Sequence, residues 1–165
     1  MTAPRRSPAM LVLGVGNVLL QDEGVGVHVA RHLEQGNGLP RNVRVVDGGT
    51  GGFHLMGLLS EHDPVVFVDA TLDGRPPGSL AVRQPRFASD FPRVLSAHDI
   101  GLRDLIEAVA LLGHLPRMYL VTVSVAAGQP PQVGLSPPVA GALEGAVQEV
   151  QRIVQGELRP EARPG

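Results

Sequence analysis

A chain of 165 residues, 43% hydrophobic and 18% charged, is long enough for one filled core and suits a soluble globular protein. A net charge of −2 and only 3% aromatic residues argue against nucleic acid as a partner, leaving neither a basic field nor base-stacking platforms. Cysteine is absent and all 14 basic residues are arginine, which excludes disulfides, thiolate chemistry, Schiff-base catalysis and a P-loop lysine.

The opening "MTAPRRSPA" places an Arg pair before an apolar run, as twin-arginine export signals do. The run is broken by Gly14, Gly16 and Asn17, and no small-residue cleavage site follows. Residues 1–9 are therefore expected to be a disordered tail on a cytoplasmic protein. No stretch reaches the ~20 apolar residues of a membrane span, so no membrane insertion is expected.

Met10–Val15, a short apolar run bounded by glycine, reads as a buried strand. Asp22 suits the cap of a helix running to Gln35, with Val25, Val29 and Leu33 on one face. "NVRVVD" (42–47) reads as a second strand and "GGTGG" as a turn. Phe53–Ser60 reads as a short helix with Leu55, Leu58 and Leu59 inward. "PVVFVDA" (64–70) is the most strand-like run of all. "GRPPG" (74–78) breaks the chain, and "SLAVRQ" (79–84) alternates as an edge strand would. Pro85 and Pro92 mark 85–97 as loop. His98–Leu112 fits a helix, "MYLVTVSV" (118–125) a strand and 128–138 an extended loop. Pro138–Gln155 fits a last amphipathic helix carrying Val139, Leu143, Val147, Val150 and Val154. The remainder, 156–165, is Pro/Arg-rich and is expected to be a disordered tail. Strands alternating with helices imply one α/β domain over 10–155 with a mainly parallel sheet.

In such sheets ligands sit outside the carboxyl ends of the strands. Glu23 follows the first strand, Asp47 ends the second and Asp69 ends the third, while His98 opens the helix near the same edge. Two carboxylates and an imidazole suit a borderline divalent ion such as nickel or zinc, and three protein ligands leave a position open. Each residue also has a plain alternative. Asp22 serves as a helix cap, Asp47 and Asp69 bond turn amides, and His98 starts a helix. His28 and His32, four apart on one helix, are expected to lie on a solvated face. His54, His62 and His114 read as surface histidines. A dinucleotide site is disfavoured because Leu19 stands where Gly14-x-Gly16 would need its third glycine. Carboxylates at that turn would also repel a pyrophosphate.

Five blocks in order resemble the nickel–iron hydrogenase maturation endopeptidases: "LVLGVGNVLLQDEGVG" (11–26), "VVDGGTGG" (45–52), "VVFVDAT" (65–71), "LSAHDIGL" (95–102) and "VGLSPPV" (133–139). The resemblance spans about residues 10–155. It implies a three-layer α/β/α sandwich whose five-stranded sheet has order 2-1-3-5-4, strand 4 antiparallel. It implies removal of a C-terminal tail from the precursor of the hydrogenase large subunit after nickel insertion. Cleavage then falls after the basic residue of the substrate's terminal Cys-x-x-Cys-x-x-His/Arg motif. The family's metal-contacting Glu, Asp and His match Glu23, Asp69 and His98, which would meet nickel borne by the substrate. No organic cofactor is implied. Asp47, Gly48, Gly49 and Thr50 would shape an adjacent substrate cleft. One departure is that "AAGQPPQ" (126–132) lacks the acidic residue usual before "GLSP" in the family.

On this resemblance the mechanism is metal-assisted peptide hydrolysis, with Glu23 or Asp69 as the alternative general base. Two competing functions stand beside it. One is a non-catalytic, metal-sensing maturation factor for the same precursor. The other is a different hydrolase, such as a peptidyl-tRNA hydrolase, whose "GxGNPG" opening is similar except that Val18 replaces the proline. A compact monomer is expected.

Overall fold

The structure, a computed structural model, describes residues 10–36, 38–93 and 101–158. Its strands are β1 (Met10–Gly14), β2 (Val43–Asp47), β3 (Val65–Thr71), β4 (Leu80–Arg83) and β5 (Met118–Ser124). Its helices are α1 (Val25–Gln35), α2 (Met56–Glu61), α3 (Leu102–Leu111) and α4 (Pro137–Leu158). The strands form one sheet in the order β2-β1-β3-β5-β4, parallel throughout except for the β4–β5 pair. β1, β3 and β5 lie inside the sheet and are covered on both faces, which is why they read as continuous apolar runs. β2 and β4 are the edges, and their partial exposure fits their mixed composition.

Alternation along each strand sorts its residues into two cores. Val66, Val68 and Ala70 of β3 pack with Val121 and Val123 of β5 against α1 and α4. Val65 and Phe67 pack with Leu120 against α2 and α3, where Phe67 meets the Phe91 ring edge-on at 5.2 Å. Each fully buried aliphatic or aromatic side chain contributes about 1.5–3 kcal/mol, so the two cores carry most of the stability. The same parity assigns sides to the acids that follow. Asp69 continues the Val65–Phe67 face toward α3, and Asp47 continues the Val43–Val45 face toward α1.

Several element boundaries differ from the sequence expectation. Residues Gln21–Gly24 wind as a 3-10 turn, so α1 begins at Val25 and not at Asp22. α3 begins at Leu102 behind Gly101, and the expected start at His98 lies outside the described residues. α4 continues to Leu158, past the boundary expected at residue 155. The segments 1–9 and 159–165, expected as tails, also lie outside the described residues. Among the described residues no helix is long and apolar enough to cross a membrane.

Candidate functional site

The turn from β1 into α1 is built on glycine. A Cβ at Gly16 would overlap the Glu23 carbonyl oxygen, and Gly16 has φ +149, so only glycine lets the chain fold back this tightly. The Gly16 N–H donates to the Gly49 carbonyl at 2.7 Å, joining this turn to the one after β2. Within the turn, Leu20 N–H donates to the Asn17 carbonyl and Glu23 N–H to the Leu20 carbonyl, each at 3.1 Å. One residue into α1, Gly26 lies against the Val68 and Val15 carbonyls, where any Cβ would overlap both. Val15 N–H donates to Val68 at 3.0 Å, and Asp69 is the next residue along. The segments bearing Glu23 and Asp69 are thus packed directly on one another at the carboxyl edge of β1 and β3. Both side chains are half-buried. The Asp69 carboxylate accepts the Ala70 N–H at 2.8 Å.

The neighbouring acids do other work. Asp22, expected as a helix cap, is instead buried at 2% exposure and accepts two hydrogen bonds from Ser136, N–H at 2.7 Å and Oγ–H at 2.6 Å. Gly24 takes the N-cap position without a side-chain bond. The physical reason is competition. The carboxylate is drawn to the N–H and hydroxyl of the loop leading into α4, and the 3-10 turn shapes the start of α1 without it. Ser136 escaped the sequence analysis, although a serine directly before two prolines is a recognisable helix start. Asp47 bonds its own turn, accepting Gly49 N–H at 2.9 Å, and pairs with Arg31 Nε of α1 at 3.0 Å. It therefore faces the α1 side, away from Asp69, with β1 between their strands. Asp47, Gly49 and Thr50 line a cavity of about 210 Å³ with Asn17, Leu19 and Arg31. Gly48 is buried beneath it, its N–H donating to the Gly14 carbonyl at 2.8 Å.

His98, the expected third ligand, lies outside the described residues. Among the described residues no three His, Asp or Glu side chains come together as a metal-holding group. His32 is exposed and faces Glu144 at 3.9 Å, whereas His28 is half-buried, off the solvated face expected for the pair. Burial, and secondarily the Arg31 charge, pushes the His28 imidazole below its ordinary pKa, against the opposing pull of Asp47. His54 and His114 are exposed as expected. His62 is not; it is 4% exposed, and its Nδ1 bonds the Leu58 carbonyl at 2.7 Å. Placed just beyond α2, its ring is drawn under that helix by the bond to the last-turn carbonyl.

A family model for hydrogenase maturation proteases, HycI, matches residues 27–153. The chain is 34% identical over 143 residues to the hydrogenase 2 maturation protease of Escherichia coli (strain K12), covering 86% of this chain and 87% of that one. It is 36% identical over 146 residues to the hydrogenase expression/formation protein HupD of Rhodobacter capsulatus, covering 87% and 70%. Its fold is similar to that of the hydrogenase maturating endopeptidase HybD from E. coli, with a TM-score of 0.81 at 34% identity over 90% of this chain and 93% of that one. The hydrogenase 2 maturation peptidase of Thaumarchaeota archaeon SCGC_AB-539-E09 is similar too, with a TM-score of 0.69 at 29% identity over 88% and 97%.

Proposed function

Because the chain belongs to the hydrogenase maturation protease family and is a peptidase of that kind, we propose that it removes the C-terminal extension of a nickel–iron hydrogenase large-subunit precursor once nickel is in place. The observation that carries this reading is the packing of the Glu23 turn onto the end of β3, beside Asp69. The close approach of Gly26 to Val68 brings two half-buried carboxylates to the ligand-binding edge of the sheet.

In the proposed reaction the nickel belongs to the substrate, held by its cysteines. Glu23, Asp69 and His98 add contacts from the enzyme, so a precursor lacking nickel is not engaged. Nickel held there would polarise the scissile carbonyl; alternatively one carboxylate, Glu23 or Asp69, would serve as general base and take the proton of the attacking water. Water adds to the carbonyl carbon, the C–N bond breaks, and the leaving amine of the tail receives a proton. Asp47, Gly48, Gly49 and Thr50 border the approach of the precursor on the α1 side. The proposed place of action is the cytoplasm and the working unit a monomer.

The test is the intact mass of nickel-loaded precursor before and after incubation with the protein, alongside nickel-free precursor and the Glu23→Gln variant. Loss of a C-terminal peptide only with nickel and wild-type protein is the expected result. Binding without any mass change would replace the peptidase reading of this site with that of a metal-sensing maturation factor.

A further inference from the structure

A polar cleft of about 280 Å³ lies on the α3 face of the sheet, near Asp69. Its floor is formed by Thr71 and Thr122. Thr122 is the register partner of Asp69 across the β3–β5 pair, one strand spacing away (about 4.8 Å). Thr71 lies two residues beyond Asp69 on the same face. The register of β4 on β5 then places Ala81 beside Thr122 and Arg83 beside Leu120. The cleft therefore starts at the two threonines next to Asp69 and runs outward to Arg83 on the edge strand. Ser89 and Arg103 line its other wall.

The lining sets two arginines, Arg83 and Arg103, against two aspartates, Asp73 and Asp90, and the Asp90 charge acts on Arg83. Asp73 accepts Arg75 N–H and Ser124 Oγ–H on one oxygen, Oδ1, at 3.1 and 2.9 Å. Asp90 likewise accepts Arg86 and Phe87 N–H on one oxygen, Oδ2, at 2.9 and 3.0 Å. Arg103 spends its Nε on the Phe91 carbonyl at 2.6 Å, which fixes the guanidinium at the wall. The remaining N–H groups of the two guanidiniums, with three hydroxyls, outnumber the carboxylate oxygens left to accept them. A ligand that completes such a surface is rich in acceptors. An extended peptide supplies main-chain carbonyls, and an acidic side chain supplies the planar pair of oxygens that a guanidinium binds in two-pronged fashion.

We propose that this cleft is a peptide subsite that holds the precursor's C-terminal extension as an extended segment bearing an acidic side chain, with Arg83 as its specificity-determining residue. The inference rests on the processing reaction proposed above. The extension is the fitting occupant because the cleft admits only a narrow chain, and the metal-bearing body of the precursor is far too large to enter. Holding the extension there anchors the precursor next to Asp69 and adds to its affinity.

The decisive experiment is an NMR titration of the full-length protein with a synthetic peptide of the extension sequence. Arg83→Glu and Arg83→Gln are titrated in parallel, as is the peptide with each Asp and Glu replaced by Asn or Gln. Arg83 is exposed on an edge strand, so both variants keep the fold. Shifts are expected at the amides of Arg83 and Leu120–Thr122, with binding weakened at least fivefold by Arg83→Glu and by the neutralised peptide, and less by Arg83→Gln. Absent shifts, shifts confined to another surface, or affinities indifferent to Arg83 would overturn the subsite. With intact precursor, Arg83→Glu is expected to raise KM and leave kcat in place. If wild-type protein cleaves no precursor, the reaction fails as a reading, yet the titration still decides the cleft.

Discussion

Asp22 and Ser136, 114 residues apart in the chain, are joined by two short hydrogen bonds that close the entrance of α1 onto the entrance of α4. The same region carries two further ties, Gln21 N–H to the Gln132 carbonyl at 2.7 Å and Asp22 N–H to Gln129 Oε1 at 3.2 Å. Glu23 is thus the neighbour of a buried carboxylate whose task is to hold the turn in place.

Replacing Asp22 by alanine leaves the Ser136 N–H and hydroxyl without their acceptor. The expected loss is about 3 kcal/mol, since hydrogen bonds to charged groups are worth about 1.5–3 kcal/mol each and do not add fully. Asp22→Asn is expected to lose much less, because an amide accepts from the Ser136 N–H and donates to its Oγ. Urea midpoints of the two variants check this, and equal losses would show that charge, not bonding geometry, is what matters.

Gly26→Ala is expected to be severely destabilising, by more than about 4 kcal/mol, because the added methyl meets the Val68 carbonyl of β3 and the Val15 carbonyl just beyond β1. Gly57→Ala is the matched control. Gly57 is an exposed helical glycine with open space around its Cβ position, and its replacement is expected to be neutral or stabilising by up to about 1 kcal/mol. Thermal unfolding of the pair separates overlap from a general effect of replacing glycine.

Asp69→Asn keeps the acceptor for the Ala70 N–H and removes only the charge. Unfolding midpoints are therefore expected to stay close to wild type. Processing of nickel-loaded precursor is expected to fall at least ~100-fold, the usual scale for loss of a positioned acid–base group or ligand. A gel-shift time course measures it, and near-normal processing would remove Asp69 from the proposed chemistry.

His28 gives a pH signature. Its folded pKa lies below the unfolded 6.5, chiefly through burial and then through Arg31. Between those two values the unfolded chain binds more protons, so stability rises with pH across the window. As pH falls from above 6.5 through the folded pKa, the protein is expected to lose stability, and His28→Gln is expected to flatten that slope. Urea midpoints at pH 7.5 and pH 5 check it; parallel slopes for variant and wild type would rule His28 out.

Much of the sheet was legible from local pattern alone. The continuous apolar runs of β1, β3 and β5 belong to strands covered on both faces, and the weak alternation of β4 belongs to the antiparallel edge. The role of Asp22 was not legible, because an acid at a helix start looks the same whether it bonds the next turn or a loop 114 residues away. Asp47 and Asp69 look equivalent as strand-end acids, and only sheet parity sends one toward α1 and the other toward α3. His62 read as a surface residue because its burial comes from a bond back to Leu58 under α2, which composition does not register. The cleft at Arg83 was missed for a related reason. Its residues come from separate strands, and register alone makes them neighbours.

The clamping of Gly16 under Glu23 and of Gly26 against Val68 leaves the acid-bearing turn no room to swing. A loop fixed on both flanks behaves as a gauge and not as a jaw. Movement during processing then falls to the other molecule. In the proposed reaction the precursor would bring its own tail to a surface already set, and the timing of the cut would follow from when the precursor becomes presentable.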